Sequence, residues 1–127
     1  MTELRIIVPL LPPSVNHYWE GQGKNTRVSA DGRAYKAAVA ILARGESIIP
    51  SCTPLALKKV GYKVSATVVF GKGKKGDVDN CGKAVCDGLK DAGVIHSDDR
   101  VLEFHIYKNL DERPDDSRTE IVAEVIA

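Results

Sequence analysis

The sequence predicts a single α/β domain, residues 1–127, in which helices pack on a mixed β-sheet. A chain of 127 residues has the length of one domain. Residues 57–70 and 101–110 alternate apolar and polar side chains as half-buried strands do, whereas residues 30–47 repeat apolar positions at helical spacing. The predicted element order β-α-β-α-β-β is typical of a mixed sheet with helices packed on it.

The N-terminal half is predicted to contain two strands and one helix. Residues 3–10 are rich in β-branched and apolar side chains, and Pro12-Pro13 ends this strand because neither proline can donate a ladder hydrogen bond. Residues 26–29 are predicted as a short strand, and Ser29 is a suitable N-cap for the helix that follows. The core-facing positions of this helix recur every three or four residues: Tyr35, Ala38, Val39, Leu42 and Ala43.

A long strand over residues 57–70 opens the C-terminal half, and residues 119–127 form the last strand. One face of the long strand is predicted to be buried, and its residues are Val60, Tyr62, Val64, Ala66, Val68 and Phe70. Residues 71–76, with the sequence GKGKKG, follow as a flexible basic loop.

Between these strands a second helix is predicted over residues 79–92. Asp79 or Asn80 is a good N-cap residue, and Gly93 is a good C′ residue. The strand at 101–110 then places Leu102, Phe104 and Ile106 on one face.

Composition excludes several classes of protein. Apolar runs fall far short of the roughly 18 residues that a membrane-spanning helix needs. The N-terminus has neither a basic region nor a small-residue cleavage site, so no secretory signal is expected. The three cysteines, Cys52, Cys81 and Cys86, cannot all pair within one chain and match no zinc-binding spacing. We therefore expect a cytoplasmic protein with no membrane partner.

Charge is balanced overall, with a formal net charge of +1, but it is segregated along the chain. Residues 47–76 carry six lysines and no acid, whereas residues 77–127 carry six basic and thirteen acidic side chains. The block that ends in Lys72, Lys74 and Lys75 predicts contact with a nucleic-acid backbone. The alternative is a lysine-rich loop that simply faces water.

Asp77 and Asp79 follow the lysine block directly and predict a divalent-cation site. If the chain is extended there, both carboxylates emerge on the same face, where they repel each other unless a cation neutralises them. Mg²⁺ and Mn²⁺ prefer such oxygen ligands. The alternative is a turn with a helix cap, which explains one of the two aspartates but not both.

Lys83 is predicted in the first turn of the second helix, where a cation opposes the helix dipole. Beside a carboxylate cluster, its ammonium group can contact a phosphate oxygen and stabilise charge that develops during reaction. Asp87, one turn further on, can hold Lys83 in place. The alternative is an ordinary surface ion pair at i, i+4 spacing.

Asp98 and Asp99 form a second acidic pair, which by itself is typical of a solvated turn. We expect the compact βαβ unit to bring its two strand ends together, so that this pair returns to Asp77 and Asp79 beside the lysines. Phosphodiester hydrolysis by a metal-activated water is the reaction class that uses all of these groups.

The pattern D-x-D-N-x-x-K, from Asp77 to Lys83, together with Asp87 and the Asp98-Asp99 pair, resembles the signature of the RusA-type Holliday junction resolvases, which are crossover junction endodeoxyribonucleases. The segments PPSVN (12–16) and VSADGRAY (28–35) are similar to that family as well, so the resemblance covers nearly the whole chain.

The resemblance implies a homodimer with an α/β fold that cuts four-way junction DNA symmetrically, using Mg²⁺ or Mn²⁺. Carried onto this chain, it assigns Asp77, Asp79 and Asp99 as metal-binding catalytic carboxylates and Lys83 as the catalytic lysine. It leaves open whether Asp98 is also a ligand. Many members occur in phages or prophages, which predicts a prophage origin.

Two other functions remain open at this point. The first is a catalytically inactive protein that binds branched DNA, in which the acids act only as caps and solubilising charge. The second is a small-molecule phosphohydrolase, which the lysine block disfavours because a small phosphate needs no extended basic surface. Tyr18 and Trp19 are interpreted either as packing residues or as platforms on which unpaired bases stack.

Overall fold

The computed structural model describes residues 3–14, 18–21, 23–43, 60–74, 81–109 and 115–126, with the backbone alone for Asn25 and Asp98. Within those ranges the strands are β1 (Glu3–Val8), β2 (Trp19–Glu20), β3 (Arg27–Val28), β4 (Tyr62–Val69), β5 (Val101–Asn109) and β6 (Arg118–Val125), and the helices are α1 (Ala30–Ala43) and α2 (Gly82–Asp91). Predicted positions outside the described residues are Lys75, Asp77, Asp79 and the element ends at 44–47, 57–59, 79–80, 110 and 127.

The main sheet has four strands in the order β1-β6-β4-β5, and β2 pairs with β3 in a small separate hairpin. The β1–β6 and β6–β4 pairs are antiparallel, whereas β4 and β5 are parallel. The prediction of an α/β fold with a mixed sheet and packed helices is therefore confirmed.

Strand alternation positions the core. The buried face of β4 carries Tyr62, Val64, Ala66 and Val68, as the period of two predicts. These residues align across the sheet with the buried side chains of β1 and β6, for example in the row that joins Ile6, Ile121 and Ala66. Both helices contribute to the same apolar cluster, so they cover this face of the sheet.

Helix α1 begins as predicted and buries most of its predicted face. The Ser29 hydroxyl accepts a hydrogen bond from the Gly32 N–H at 3.1 Å, which is the expected N-cap contact. Tyr35, Val39 and Ala43 are buried. The prediction for Leu42 is wrong, because this side chain lies at the edge of the helical stripe and is exposed. At fourteen residues α1 is the longest described helix, and none of the described helices is long and apolar enough to span a membrane.

Helix α2 ends where the sequence predicts but begins later. Gly93 has a φ of +78°, and the N–H groups of Gly93 and Val94 bond the carbonyls of Lys90 and Leu89 in a Schellman motif. The N-cap is Cys81, with no side-chain capping bond, so the prediction of Asp79 or Asn80 as the cap is wrong. Cys81 is itself buried.

The parallel register of β4 and β5 corrects one expectation about the site. Tyr62 pairs with Val101 and Val69 pairs with Asn109. The end of β4 and the start of β5 therefore lie at opposite ends of the strand pair, about 23 Å apart at roughly 3.3 Å per residue. The expectation that these two strand ends meet is wrong, because a parallel crossover must return the chain to the starting end of the sheet. That Asp77 and Asp79 meet Asp99 stays a prediction, since both aspartates lie outside the described residues.

Strand β5 contains an irregularity that explains a second error. The register shifts between Tyr62 and Lys63, which pair with Val101 and Glu103 and leave Leu102 as the additional residue. Leu102 is 56% exposed, whereas Phe104 and Ile106 pack against the core. The prediction that all three share one face is therefore wrong for Leu102.

Candidate active site

A cavity of about 380 Å³ lies between the first half of α2 and the first half of β5. Its lining residues are Gly82, Lys83, Cys86, Val101 and Phe104. Gly82 permits the close approach of helix and strand, since a Cβ there would lie 3.2 Å from the Phe104 ring. Lys83 is the cation among the side chains that line this α2–β5 cavity.

Lys83 is paired with Asp87 across one turn of α2, as the sequence predicts. The Lys83 Nζ lies 3.1 Å from the Asp87 Oδ1. The two side chains differ in exposure, since 39% of Lys83 but only 13% of Asp87 is accessible to solvent. The carboxylate therefore lies mostly inside the protein, while the ammonium it holds reaches the surface.

Tyr18 completes this arrangement from a distant part of the chain. Its hydroxyl donates a hydrogen bond of 2.5 Å to the Asp87 Oδ2, so both carboxylate oxygens of Asp87 have partners. The Tyr18 side chain is fully buried, which confirms packing rather than base stacking for this residue. Trp19 meets the Tyr18 ring edge-on at 5.1 Å between ring centroids and stays 42% exposed, so its role as a stacking platform stays a prediction.

Asp99 lies in the 3₁₀ turn Asp98–Arg100, directly before β5. Its carboxylate is exposed and accepts a hydrogen bond from the Ser97 hydroxyl. The turn contacts α2, and the Arg100 Nε anchors it by donating to the Val60 carbonyl at 2.8 Å. Asp99 thus stands two residues before Val101, which lines the α2–β5 cavity.

Lys72 and Lys74 follow the other end of β4, the end remote from Asp99. The Lys72 Nζ lies 3.4 Å from the Asp115 Oδ1, but both side chains are well exposed, so water and salt screen this pair. Lys108, whose Nζ lies 5.3 Å from the centre of the Phe70 ring, adds a third cation at this end of the sheet. Sequence spacing does not predict the position of Lys108, since only strand pairing places it near residues 70–74.

The residues predicted to bind a metal lie only partly within the described ranges. Asp99 supplies an exposed carboxylate oxygen, which is the type of donor that Mg²⁺ and Mn²⁺ take. Asp77 and Asp79 precede α2 in the sequence and lie outside the described ranges, as does the side chain of Asp98. Over the part of the chain that is described, no group of three histidine, cysteine, aspartate or glutamate side chains could hold a metal ion.

Comparison with known proteins identifies the family. A family model described as endodeoxyribonuclease RusA matches residues 9–123, which is most of the chain. The chain belongs to the RusA family. The family resemblance expected from the D-x-D-N-x-x-K pattern is therefore confirmed, and the RusA match includes Tyr18, Lys83, Asp87 and Asp99.

Relatives in the RusA family come from phages and bacteria. The crossover junction endodeoxyribonuclease of Enterobacteria phage 82 is 30% identical over 98 residues, which cover 76% of each chain. The protein of the same name from Escherichia coli strain K12 has the same identity and coverage. The relative from Enterobacteria phage HK97 is 24% identical over 110 residues, which cover 87% of this chain and 86% of the relative.

Tyr18 is the residue that sequence analysis did not connect to the site. It lies 69 positions before Asp87, and no local spacing relates the two. Lys83 and Asp87, by contrast, are neighbours on one helix and were predictable as a pair.

Proposed function

We propose that residues 1–127 form one metal-dependent endonuclease domain that resolves Holliday junctions by nicking two strands symmetrically. The observation that carries this proposal is a lysine held by a mostly buried carboxylate at a cavity, in a chain that belongs to the RusA family. The names of the relatives, crossover junction endodeoxyribonucleases, support branched DNA as the substrate.

Asp77, Asp79 and Asp99 are the residues that would hold the divalent cation. Their carboxylates match the oxygen ligands of Mg²⁺ or Mn²⁺, and the exposed carboxylate of Asp99 fits this set. When bound, such a cation supplies Lewis acidity and lowers the pKa of a coordinated water, which makes that water a nucleophile near neutral pH.

In this proposal Lys83 contacts the scissile phosphodiester directly. Its ammonium binds a non-bridging phosphate oxygen and stabilises the negative charge that grows on the phosphoryl oxygens during hydrolysis. A lysine in the first turn of a helix opposes the helix dipole, which argues for a role other than stability. Val101 and Phe104 give the cavity an apolar wall beside Lys83, so the lysine is the polar group there that can bind the phosphate.

Lys72, Lys74 and Lys75 are proposed to contact the DNA backbone away from the cut. Lys72 and Lys74 lie roughly 23 Å or more along the strands from the Asp99 end, which is less than one turn of duplex DNA at about 34 Å. One arm of a junction can therefore contact the lysines while its phosphate at the branch lies near Lys83. Exposed lysines suit this role because each neutralised phosphate releases counterions.

We further propose a homodimer, since a four-way junction offers two equivalent strands and a two-fold assembly places one site on each. The substrate implies action in the cytoplasm, and the relatives from phages 82 and HK97 support an origin on a phage or prophage genome.

The test is cleavage of a labelled synthetic four-way junction and of the matching linear duplex, with Mg²⁺, with Mn²⁺ or with EDTA. We expect symmetric nicks in the junction that require the metal, and little cutting of the duplex. Asp79→Asn and Asp99→Asn should lose cleavage but retain junction binding.

The matched control is Asp91→Asn, which also removes one carboxylate. Asp91 lies at the far end of α2, where it pairs with Lys36 of α1. This variant should cut at the wild-type rate. Cleavage by Asp79→Asn at the parental rate with EDTA present would contradict the proposal. Salt-sensitive binding with no turnover under any metal would instead favour the inactive DNA-binding alternative.

A further inference from the structure

We propose that Tyr18 and Asp87 are positioning residues that hold the ammonium of Lys83 at the α2–β5 cavity in the orientation that phosphodiester hydrolysis requires. This inference rests on the proposed function, because it concerns the lysine of that reaction. The three residues are called the Tyr18–Asp87–Lys83 triad below.

The first argument is that the Asp87 side chain is far less exposed than the Lys83 side chain. Lys83 is partly exposed and has four rotatable bonds, so by itself it would sample many orientations. A surface carboxylate partner would do little to limit this, since it moves as freely as the lysine. Asp87 is different because 87% of its side chain is covered, and its second oxygen is fixed by the Tyr18 hydroxyl.

The second argument is the rigidity of Tyr18. Its backbone carbonyl accepts a 2.7 Å hydrogen bond from the Ser29 N–H, which ties it to the start of α1. Its ring packs so closely on Gly32 that a Cβ there would lie 2.9 Å from a ring carbon. The phenol therefore projects from a fixed point beside α1 to a carboxylate on α2.

The third argument is that both oxygens of the mostly buried Asp87 carboxylate need a partner. A charged carboxylate away from water needs a partner for each oxygen, and here one oxygen faces the lysine while the other accepts from the phenol. If Tyr18 loses its hydroxyl, Asp87 is free to rotate toward solvent and release Lys83. The hydroxyl of Tyr18 thus controls Lys83 without touching it.

The experiment is a double-mutant cycle on single-turnover junction cleavage. Tyr18→Phe and Asp87→Asn should each lower the cleavage rate about 5- to 30-fold, while the dissociation constant for uncleaved junction in EDTA changes less than about 2-fold. In a Lys83→Met background, neither substitution should lower the residual rate further, because both act through the lysine.

Tyr35→Phe is the matched control. It also removes the hydroxyl of a fully buried tyrosine, but Tyr35 is not part of the Tyr18–Asp87–Lys83 triad. It should cut at the wild-type rate. If Tyr18→Phe lowers the residual rate of Lys83→Met by the same factor as it lowers the wild-type rate, the role is structural and the inference fails. An unchanged rate in both single variants would refute it as well.

A second measurement does not depend on activity. Brief acetylation with N-hydroxysuccinimide acetate, followed by peptide mass spectrometry, reports how tightly each lysine amine is held. Lys83 should react several-fold faster in Tyr18→Phe and Asp87→Asn than in wild type, with Lys90 unchanged as the internal reference. Equal reactivity of Lys83 in all variants would overturn the positioning role even if the enzyme cuts junctions.

The two failures are therefore distinguishable. If the wild-type protein cuts no branched DNA, the proposed function is refuted, and with it any role of the Tyr18–Asp87–Lys83 triad in catalysis. A wild-type protein that cuts junctions but shows additive substitutions and unchanged Lys83 labelling removes only this inference.

Discussion

Gly88 lies where α1 and α2 pack closely together, and its replacement by alanine tests how tightly the helix behind the site is packed. An alanine Cβ at this position would lie 2.8 Å from the Val39 Cβ and 3.0 Å from its Cγ1. Carbon atoms pack best at about 3.5–4.0 Å, so the two helices must separate locally by roughly 1 Å. Val39 cannot move aside, because it is fully buried and β-branched on a helix.

Two opposing terms set the size of the effect. Alanine is favoured over glycine inside a helix by about 1 kcal/mol, whereas overpacking a tight core costs about 1–3 kcal/mol. We therefore expect Gly88→Ala to lower the free energy of unfolding by about 1 kcal/mol, which corresponds to a decrease in Tm of roughly 4 °C for a chain of this size.

The assay is urea denaturation followed by circular dichroism, with Ala37→Gly as the comparison. Ala37 is exposed on α1, so this change should destabilise by about 1 kcal/mol through helix propensity alone. The two positions thus prefer opposite residues. A Gly88→Ala protein that is more stable than wild type would show that propensity dominates and that the helix contact is looser than its geometry indicates.

Three further predictions concern the surface, a buried phenol and the strand irregularity. Lys72→Gln combined with Lys74→Gln should weaken junction binding at low salt and reduce the slope of log affinity against log salt by about 2, as measured by fluorescence anisotropy, whereas Lys90→Gln should leave the slope unchanged. Burial raises the pKa of the Tyr35 phenol, with the nearby Thr119 hydroxyl opposing this in part. The neutral phenol is therefore favoured in the folded state, so stability falls as the pH rises above about 10, by up to 1.4 kcal/mol per pH unit, and urea titrations at pH 9 to 11 should find a shallower fall in Tyr35→Phe. Leu102→Ser should change the free energy of unfolding by less than about 0.5 kcal/mol, because this leucine is largely exposed, and a larger loss on urea denaturation would contradict the described register.

Local patterns predicted most of the secondary structure. The alternation at Val64, Ala66 and Val68 is a direct consequence of strand geometry, and it required no knowledge of neighbouring strands. Gly93 likewise ended α2 through its own backbone freedom. The errors arose where a neighbour overrode the local preference, as at Leu102, where the register shift against β4 turns the side chain outward.

The candidate site divides in the same way. The pair of Lys83 and Asp87 followed from helical spacing, because residues four apart share one face of a helix. The hydrogen bond from Tyr18 did not, since it joins segments 69 positions apart. The placement of Lys72 at the end of the sheet opposite Asp99 also depended on strand direction, which periodicity does not encode.

The sequence by itself determined the alternating strands, the two amphipathic helices, the family pattern and the helix-borne ion pair, because each depends on residues within a few positions of one another. Only the tertiary structure decided that β4 and β5 are parallel and that the buried Tyr18 donates a hydrogen bond to Asp87, the carboxylate that pairs with Lys83. Those features depend on which surfaces bury most apolar area together, and that is a property of the whole chain rather than of any segment.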